Sequence, residues 1–384
     1  MIKLLTVIGA RPQIIKSAAL SRTISNKFSN EINETLLHTG QHYDRGMSEV
    51  FFGEMKIPFP LYNLSVGSGN HGIQTATMIK GIEEILLKEK PDFLVLYGDT
   101  NSTLAGALAA SKLKIRIIHI EAGLRSFNKN MPEEVNRVLC DHVSSLLFTP
   151  TKQGLGNLVL EGFKTASNPP YTIDNPGIFH CGDVMYDNSL FFGELAENKS
   201  QILSKLGIKP QNFILLTLHR DFNTDNAKRL NQIFSTIIRI SELYNETIVF
   251  PMHPRTLHQT QKLLDKNLIR RMELSNRFIN IPPVSFLDMI QLEKNVKMII
   301  TDSGGVQKEA YFFKKPVIIL RPETEWVEII DQKAGIIVDA DDNKIMKAYE
   351  YFKNGNGNLT FSKIFGNGKA AEFICKTILK QQIV

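Results

Sequence analysis

The amino-acid sequence predicts an α/β fold with two doubly wound, Rossmann-like domains that face a cleft. Three observations lead to this prediction. The chain has 384 residues, which is about twice the size of an ordinary single core. Short apolar runs alternate with amphipathic stretches of helical length in both halves of the chain. These apolar runs are continuous rather than alternating, which indicates parallel strands buried on both faces.

The predicted elements follow one another in strand–helix order. In the first half, strands are expected at 4–8, 34–38, 93–97, 115–120 and 145–149, with helices at 14–25, 73–88, 100–111 and 134–143. In the second half, the expected strands are 213–218, 247–250, 277–281, 297–300, 316–320 and 335–338, with helices that include 227–244 and 305–313. A further helix at about 369–382 fits either domain. Residues 163–177, rich in Pro, Asn, Ser and Gly, are expected to form a loop near the hinge.

Composition argues against several classes of function. The net charge of +6 is spread over the chain without dense basic runs, so we expect no nucleic-acid partner. No apolar stretch approaches the roughly 20 residues of a membrane helix, and the first residues lack the features of a signal peptide. We therefore expect a cytoplasmic protein without a membrane partner. Three widely separated cysteines without a CxxC pair argue against a zinc site and a disulfide framework.

The stretch TDSGGVQKEA, which begins at residue 301, predicts a phosphate site. Adjacent glycines follow an apolar strand and open a helix, where backbone N–H groups and the helix dipole favour an anion. Ser303, Gly304 and Gly305 are the candidate phosphate contacts, and Glu309 is the candidate acceptor for a ribose diol. The GxxxxGK[ST] and GxGxxG patterns are absent, so the sequence supports neither a P-loop nor a NAD site.

Cationic side chains follow three other predicted strands. Arg11 and Lys16 lie in GARPQIIK, near the start of a helix, where two cations would suit a diphosphate. Surface cations on a plain turn are the alternative. His219 and Arg220 follow the first strand of the second half, where imidazole can donate to a phosphate or move protons. His253, in PMHPR, is predicted to have a structural role.

Carboxylates gather at the strand ends of the first half. Asp99 follows an apolar run in LYGDTNS, Glu121 follows the next run in HIEAGLRS, and Glu133 lies beyond the loop after it. Taken alone, Asp99 is better explained as a helix N-cap, although Asn101 and Ser102 could cap equally well. Like charges in one site raise each other's pKa, as general acids and bases require. An ion-pair network with Arg125 and Arg137 is the alternative.

One spacing suggests a metal site. His38 and His42 are four residues apart, an interval that brings two rings to one face only on a helix. Gly40 and the preceding strand argue against such a helix. We therefore expect no metal ion.

Together, the segments GARPQIIK, GDTNS, HIEAGLRS with PEEVNR, HR and TDSGGVQKEA resemble the non-hydrolysing UDP-N-acetylglucosamine 2-epimerases of bacteria. The motifs occur in the family order from Gly9 to about Glu328, so the resemblance covers essentially the whole chain. It implies a GT-B-like fold whose last helix crosses back, giving a first domain of residues 1–178 plus about 367–384 and a UDP-binding domain of residues 179–366. It also implies a homodimer that serves synthesis of a surface polysaccharide such as O-antigen or capsule.

The chemistry that the resemblance implies needs neither a metal nor a cofactor. A base removes the C2 proton of a UDP-sugar while UDP leaves C1, and UDP re-adds to the resulting 2-acetamidoglucal after proton return on the opposite face. Carried over onto this sequence, the catalytic candidates are Asp99, Glu121, Glu133, His219 and Lys16. The candidates for binding UDP or substrate are Arg11, Lys16, His219, Arg220, Phe286, Ser303, Gly304, Gly305, Glu309, Arg321 and Glu325.

Departures from the family pattern concern the substrate and regulation. ETEWVE stands where the common enzymes read TERPE, so Trp326 replaces a ligand-contacting arginine, and RSFNKNMPEE is two residues shorter than usual. Both features resemble the subgroup that acts on UDP-2,3-diacetamido-2,3-dideoxy-glucuronate. Gln41 and His42 match the allosteric site of many bacterial members, but VGSGNHG lacks its arginine.

Three other functions remain open from the sequence. A GT-B glycosyltransferase would share the fold and the nucleotide turn, but it would not need three carboxylates. A hydrolysing epimerase would release N-acetylmannosamine and UDP. A non-catalytic sensor of sugar nucleotides would explain residues 303–309 but not the acid/base set.

Overall fold

The computed structural model describes residues 1–40, 52, 53, 55, 57–355 and 359–381. It divides into two units, Met1–Asn188 with Lys363–Val384 and Ser189–Ser362. Each unit contains a parallel sheet with helices between its strands. The helices in this described part of the chain lack the combination of length and apolar composition that crossing a bilayer requires.

The described part of the first unit contains a seven-stranded parallel sheet in the order β3-β2-β1-β4-β5-β6-β7. Its strands are β1 (Ile2–Ile8), β2 (Ile32–His38), β3 (Tyr62–Asn63), β4 (Phe93–Tyr97), β5 (Arg116–Ile120), β6 (Leu146–Thr149) and β7 (Gly177–His180). Its helices are α1 (Arg11–Thr23, followed by a π-helical turn, Ile24–Phe28), α2 (His71–Glu89), α3 (Asn101–Lys112), α4 (Pro132–His142), α5 (Lys152–Leu160), the first residues of α6 (Val184–Lys199), and the helix Ala370–Leu379, numbered α16 below.

Successive residues of these strands supply opposite faces of the sheet, as the pleat requires. One face carries Leu4, Val95 and Ile118 and packs on α16, whose buried residues include Ile374. The other face carries residues such as Leu5, Leu94 and Ile117 and packs on α2 and α3. The apolar runs are continuous because helices cover both faces.

The described part of the second unit contains a six-stranded parallel sheet in the order β10-β9-β8-β11-β12-β13. Its strands are β8 (Ile214–Thr217), β9 (Ile248–Pro251), β10 (Phe278–Ile281), β11 (Met298–Thr301), β12 (Val317–Ile319) and β13 (Gly335–Ile337). Its helices are the rest of α6, α7 (Ile202–Lys205), α8 (Asp221–Thr224), α9 (Ala227–Tyr244), α10 (Pro254–Leu263), α11 (Lys266–Leu274), α12 (Phe286–Asn295), α13 (Gly304–Phe312), α14 (Val327–Asp331) and α15 (Asp342–Lys353).

In both sheets the strand order reverses between two adjacent strands, β1 and β4 in the first unit and β8 and β11 in the second. Ligands of open α/β sheets bind outside the carboxyl ends of the strands at such switch points. The turns after β1, β4 and β5 and those after β8 and β11 are therefore where a site is expected in each unit. These turns carry the predicted motifs.

The structure differs from the prediction around residue 178. Residues 177–180 form β7, which pairs in parallel with β6, whereas this segment was expected to leave the first domain. The unit boundaries fall at Asn188/Ser189, within α6, and at Ser362/Lys363, rather than at 178/179 and 366/367. The strand GIFH is short, lies at an edge of the sheet and follows a Pro-rich loop, so its apolar signal is weak.

Candidate active site

The first unit brings together two predicted site residues, Lys16 of α1 and Glu121 directly after β5. The Lys16 ammonium donates to Glu121 Oε1 at 2.8 Å and lies 2.8 Å from Oε2. Their side chains are 14% and 10% exposed, so the pair is largely withdrawn from water. Gly98 makes room for it, since a Cβ at this position would lie 3.0 Å from the Lys16 nitrogen. A paired ammonium and carboxylate therefore stand at the carboxyl end of the sheet.

Glu121 has a strained backbone. Its φ is +74°, in the left-handed region that residues other than glycine seldom occupy. Strain of this kind costs on the order of 1–3 kcal/mol and clusters at functional sites. The N–H groups of Glu121 and Ala122 both donate to the Phe148 carbonyl, at 3.1 and 3.0 Å, which holds the turn. No sequence pattern indicated this conformation.

Asp99 lies in the turn between β4 and α3, and its carboxylate pairs with Arg137 of α4. Its carbonyl accepts a hydrogen bond from Asn136 Nδ2 at 2.9 Å. Thr100 is the N-cap of α3, because its hydroxyl accepts from the Thr103 N–H at 3.3 Å. The interpretation of Asp99 as a helix cap is therefore wrong. Its carboxylate is 30% exposed and accessible to a ligand.

Glu133 and Glu134, neighbours in the first turn of α4, have different surroundings. Glu133 is exposed, whereas Glu134 is buried. Glu134 accepts from the N–H groups of Ser126 and Phe127 at 2.9 and 3.0 Å and from Arg137 Nη1 at 3.1 Å. Glu134 therefore holds the loop before α4. Its pairing with Arg137 agrees with the alternative prediction of an ion-pair network. Glu133 remains a predicted acid or base.

Gln13, which no motif singled out, joins two of the site turns. It is fully buried, and its Oε1 accepts from the N–H groups of Gly9 and Ala10 at 2.9 and 3.3 Å. Its Nε2 donates to the Tyr97 carbonyl at 3.1 Å and to Thr103 Oγ1 at 3.0 Å. One amide thus binds the turn after β1 to the end of β4. A polar residue on an apolar helix face is the signal that would have found it.

A cluster of charges formed by His119, Asp141 and Arg125, which are buried, and the more exposed Glu161 was also not predicted. His119 Nδ1 lies 2.6 Å from Asp141 Oδ1, and Arg125 Nη1 lies 2.8 Å from Asp141 Oδ2. Arg125 also donates to both Glu161 oxygens at 2.7 Å. Burial disfavours the charged ring, but Cys140 and Asp141 outweigh burial and raise the pKa of His119 well above its ordinary value. Burial would raise the pKa of Asp141, but His119 and Arg125 lower it.

Arg11 and Gly9 belong to the turn after β1. Arg11 is the first residue of α1 and is exposed. Gly9 is required by close packing, because a Cβ at this position would overlap the hydroxyl oxygens of Ser102 and Thr39. The turn thus lies tightly against α3, with the Arg11 side chain left on the surface.

In the second unit, Asp302 organises the predicted His219–Arg220 turn. Asp302 is fully buried and accepts from the N–H groups of His219 and Arg220, at 3.1 and 3.0 Å, and from Asn223 Nδ2 at 3.2 Å. Burial, together with the charges of Arg220 and His253, lowers the pKa of His219 despite the opposing effect of Asp302. The ring is therefore neutral at pH 7, a form that can donate one hydrogen bond without carrying charge.

Ser303, Gly304 and Gly305 lie at the start of α13, as predicted. Ser303 is the N-cap, yet its side chain accepts no capping hydrogen bond within the described structure. The first N–H groups of a helix lack intrahelical partners, so this turn presents donors to an anion. Arg321 donates to both oxygens of Glu325 at 2.8 and 2.9 Å. A Cβ on Gly304 would lie 3.5 Å from Arg321 Nη1 and from Glu325 Oε2, so the pair borders the turn.

Trp326 lies beside the same turn. Its Nε1 would be 3.8 Å from a Cβ on Gly304. The Lys308 ammonium lies 4.2 Å from the centre of the Trp326 ring, a cation–π distance, and both side chains are buried. Trp326 therefore brings an indole next to the predicted phosphate contacts, and Lys308 lies against that indole.

Glu309 of α13 forms a carboxyl pair with Glu293 of α12. Burial, then the charge of Glu309 and a hydrogen bond between the two side chains, raise the pKa of Glu293 well above its ordinary value. Two carboxyl groups can share a hydrogen bond only if one is protonated, and the raised pKa makes Glu293 the donor to Glu309. Phe286, at the start of α12, packs edge-on against Phe192 with ring centres 5.0 Å apart.

The histidine predictions have mixed outcomes. His38 ends β2, its Nδ1 accepts from the Gly40 N–H at 2.8 Å, and burial lowers its pKa to about 4. His42 and Gln41 lie outside the described residues. Within those residues there is no group of three or more His, Cys, Asp and Glu side chains that could hold a metal ion. His253 caps α10, accepting from the Arg255 N–H at 3.2 Å, which confirms its structural role.

Three comparisons bear on these arrangements. A family model described as UDP-N-acetylglucosamine 2-epimerase matches residues 25–379. A UDP-N-acetylglucosamine 2-epimerase homolog from Methanococcus maripaludis is 48% identical over 378 residues, covering 98% of this chain and 99% of the relative. The UDP-2,3-diacetamido-2,3-dideoxy-D-glucuronate 2-epimerase of Pseudomonas aeruginosa is 43% identical over 378 residues, with the same coverage.

A solved structure extends the likeness to three dimensions. The crystal structure of Methanocaldococcus jannaschii UDP-GlcNAc 2-epimerase, in complex with UDP-GlcNAc and UDP, has a TM-score of 0.82 to this chain and 42% sequence identity. It covers 98% of this chain and 99% of the other. This match confirms the predicted fold class, GT-B-like with two Rossmann-like domains.

Proposed function

Because this chain belongs to the UDP-N-acetylglucosamine 2-epimerase family, as its motifs predicted, we propose that it is a non-hydrolysing isomerase that interconverts UDP-N-acetylglucosamine and UDP-N-acetylmannosamine. The observation that carries the proposal is the Lys16–Glu121 pair, held on a strained backbone next to the Gly98–Asp99 turn. A lone nucleotide-binding role would give no reason for that strain.

The first half-reaction is an elimination. A carboxylate of the first unit, Glu121 or Asp99, takes the C2 proton while the C1–O bond to UDP breaks, and the C2–H electrons form the C1=C2 bond of 2-acetamidoglucal. A C2–H bond is a weak acid, so the step requires electrostatic stabilisation of the leaving diphosphate. Lys16 and Arg11 supply positive charge for this purpose, and the neutral His219 ring supplies a hydrogen bond.

The second half-reaction reverses the first on the other face of the sugar. The diphosphate oxygen adds to C1, and a protonated carboxyl group delivers its proton to C2 from the side opposite the first base. Two acid/base groups are therefore needed, which accounts for a set of Asp99, Glu121 and Glu133 rather than a single carboxylate. Proton transfer by a positioned side chain contributes about 10²–10⁴-fold to such a reaction.

The second unit binds the nucleotide in this proposal. Ser303, Gly304 and Gly305 bind the diphosphate through the N-terminus of α13, and Glu309 accepts hydrogen bonds from the ribose diol. The support for these roles is the position of Ser303 as the N-cap of α13 and the position of Glu309 in the same helix. Arg220, Arg321, Glu325 and Phe286 complete the set, with Phe286 beside the uracil.

A second substrate has specific support. The diacetamido-glucuronate 2-epimerase of Pseudomonas aeruginosa is 43% identical to this chain, and Trp326 and the shorter RSFNKNMPEE loop depart from the pattern of the common enzymes. C2 epimerisation of UDP-2,3-diacetamido-2,3-dideoxy-glucuronate is therefore the alternative. Under either assignment the product is a precursor for a surface polysaccharide, O-antigen or capsule, made in the cytoplasm by a homodimer.

Proton NMR in deuterated water tests the proposal. The protein is incubated with UDP-N-acetylglucosamine and, in parallel, with the diacetamido-uronate analogue. Deuterium at C2 with appearance of the C2 epimer supports epimerisation, and the faster of the two substrates identifies the natural class. Release of free N-acetylmannosamine would indicate a hydrolysing enzyme. Absence of exchange with both sugars would refute the proposal and favour a glycosyltransferase or a sensor.

A further inference from the structure

His119 projects from β5 into the interior of the first unit, where both of its ring nitrogens meet acceptors. Nδ1 lies 2.6 Å from Asp141 Oδ1, and Nε2 lies 2.8 Å from the carbonyl oxygen of Gly98. Neither a carboxylate nor a carbonyl oxygen can donate a hydrogen bond. Both ring nitrogens must therefore carry hydrogens, so His119 is an imidazolium inside the protein.

The second oxygen of Asp141 has its own partners. Asp141 Oδ2 accepts from the Gly123 N–H at 3.1 Å and lies 2.8 Å from Arg125 Nη1. Arg125 is in turn held by Glu161. The side chains of His119, Asp141 and Arg125 are at most 1% exposed. Positive and negative charges alternate along this row, which satisfies the requirement that a buried charge be paired.

His119 and Asp141 bind two backbone groups, the Gly98 carbonyl and the Gly123 N–H. Both groups lie in the turns that carry the catalytic carboxylates. Gly98 directly precedes Asp99, and Gly123 follows Glu121 by two residues. Both glycines have positive φ, +60° and +78°, beyond the last paired residues of β4 and β5, Tyr97 and Ile120. The Gly98 N–H still donates to the Ile120 carbonyl at 3.1 Å. The Gly98 carbonyl and the Gly123 N–H, by contrast, are bound by the side chains of His119 and Asp141.

We infer that His119 and Asp141 are positioning residues of the acid/base site: a buried imidazolium–carboxylate pair that holds the Asp99 and Glu121 turns at a fixed spacing. The inference rests on the proposed function. The inference extends the proposed function to residues that touch neither the UDP-sugar nor the reacting atoms. Proton transfer to and from a poorly acidic carbon depends on sub-ångström placement of the base, and a misplacement of about 1 Å costs on the order of 10²-fold in rate.

The charge on His119 is essential to this role. A neutral imidazole has one donor and one acceptor nitrogen, so it would oppose a lone pair to either Asp141 or the Gly98 carbonyl. A glutamine side chain cannot replace the ring, because its single amide cannot donate in both directions at this geometry. His119→Gln therefore releases one of the two turns while retaining a polar side chain of similar size.

The test compares full-length wild type, His119→Gln and Asp141→Asn with a control, Thr6→Val. Thr6 lies in β1 of the same sheet, and its buried hydroxyl donates to Glu34 Oε1 at 2.7 Å, so the control loses one interior hydrogen bond away from the turns. For each protein, the measurements are kcat and KM for the UDP-sugar, the rate of deuterium entry at C2, and the Kd for UDP by calorimetry.

We expect His119→Gln and Asp141→Asn to lose about 10²-fold in kcat and in C2 exchange, with the Kd for UDP within a factor of two or three of wild type. Thr6→Val should keep wild-type kcat. Normal turnover in both site variants, or an equal loss in the control, would overturn the inference. A wild-type protein that exchanges no C2 hydrogen would instead overturn the proposed function.

A second measurement does not depend on activity or on variants that fold. The sequence has nine histidines. In the wild-type chain labelled with ¹⁵N-histidine, the His119 ring should show two protonated nitrogens at pH 7. The signal is assigned by its loss in His119→Gln or, if that variant does not fold, by nuclear Overhauser contacts between its ring N–H protons and the backbone around Gly98. A neutral His119 ring at pH 7 would refute the charged pair.

Discussion

The carboxyl edges of the two sheets are built by different means, although the first six strands of each sheet follow the same order. In the first unit, the turns are joined by buried side chains, chiefly Gln13 and the His119–Asp141 pair, each of which binds two separate turns. In the second unit, one buried carboxylate, Asp302, gathers three donors, and a helix start offers its own N–H groups.

The difference follows from what each edge has to do. An anion is bound by backbone N–H groups at a helix N-terminus, whose positions the helix itself fixes. Acid/base chemistry requires side-chain carboxylates at defined places, and side chains on turns need support from neighbours. The first unit therefore contains the strained Glu121 backbone and the paired interior charges. The second unit presents the start of α13, with Gly304 and Gly305.

The largest expected effect separates the two edges by function. Glu121→Gln should lower turnover about a hundredfold or more, because the amide cannot accept or return the C2 proton. Asp99→Asn should behave alike. UDP affinity, measured by calorimetry, should stay near wild type in both, because the nucleotide is assigned to the other unit. Near-normal turnover in both variants would contradict the roles assigned here.

Asp302→Asn should damage the second edge instead. The asparagine amide would place a donor against the N–H groups that donate to Asp302 in the wild type. The free energy of unfolding should therefore fall by about 1–3 kcal/mol. We expect UDP to bind more than tenfold more weakly, with a smaller change in kcat at saturating substrate. Asp225→Asn is the control, since Asp225 pairs with Arg255 on the exposed surface, where such pairs contribute little to stability. Equal losses in the two variants would argue against an organising role for Asp302.

A pair of glycine substitutions tests the tight packing of the first edge. Gly9→Ala places a methyl group against the Ser102 and Thr39 hydroxyls, which should lower the free energy of unfolding by about 1–3 kcal/mol. Gly156→Ala, in the exposed part of α5, meets no atom within 4 Å and should raise it by up to about 1 kcal/mol. Urea unfolding of both variants measures the contrast. If Gly9→Ala proved as stable as wild type, the close packing of the turn after β1 against Ser102 and Thr39 would be contradicted.

The smallest expected effect is a pH dependence in the second unit. Burial and the neighbouring Glu309 raise the pKa of Glu293 well above 4.5 in the folded state. The unfolded state therefore loses this proton first, and stability is lost as pH rises above about 4.5 until the folded pKa is passed. Glu293→Gln removes this loss while keeping a donor. The melting temperature of the variant should therefore gain on wild type between pH 5 and 8, and a constant difference across that range would contradict the protonated pair.

The fold was largely predictable because its signals are local. Continuous apolar runs located β4 at its true bounds and most other strands within one or two residues. The two-residue β3 and the edge strand β7 were missed, since a short edge strand buries little and carries a weak pattern. The turn at the start of α13 was predictable for a similar reason, because Ser303, Gly304 and Gly305 are contiguous.

The supports of the site were not predictable, because they join residues far apart in the chain. Gln13 meets Tyr97, and His119 meets Asp141, and neither spacing follows a helix or strand period. The left-handed backbone of Glu121 is likewise set by the Phe148 carbonyl on the next strand. Local patterns therefore indicated which carboxylates to suspect, but not what holds them.

The helix α16 has a consequence for synthesis of the protein. Its Ile374 and Cys375 complete the interior around Ile2 and Leu4, yet residues 189–362 intervene as the other unit. Domains generally fold in order from the N-terminus during translation. Here, however, synthesis of the second unit is complete before the last residues of the first unit are added. The emerging chain must therefore keep an apolar sheet face uncovered until the ribosome has passed residue 379. A premature stop after residue 362 would leave that face permanently open to chaperones or proteases.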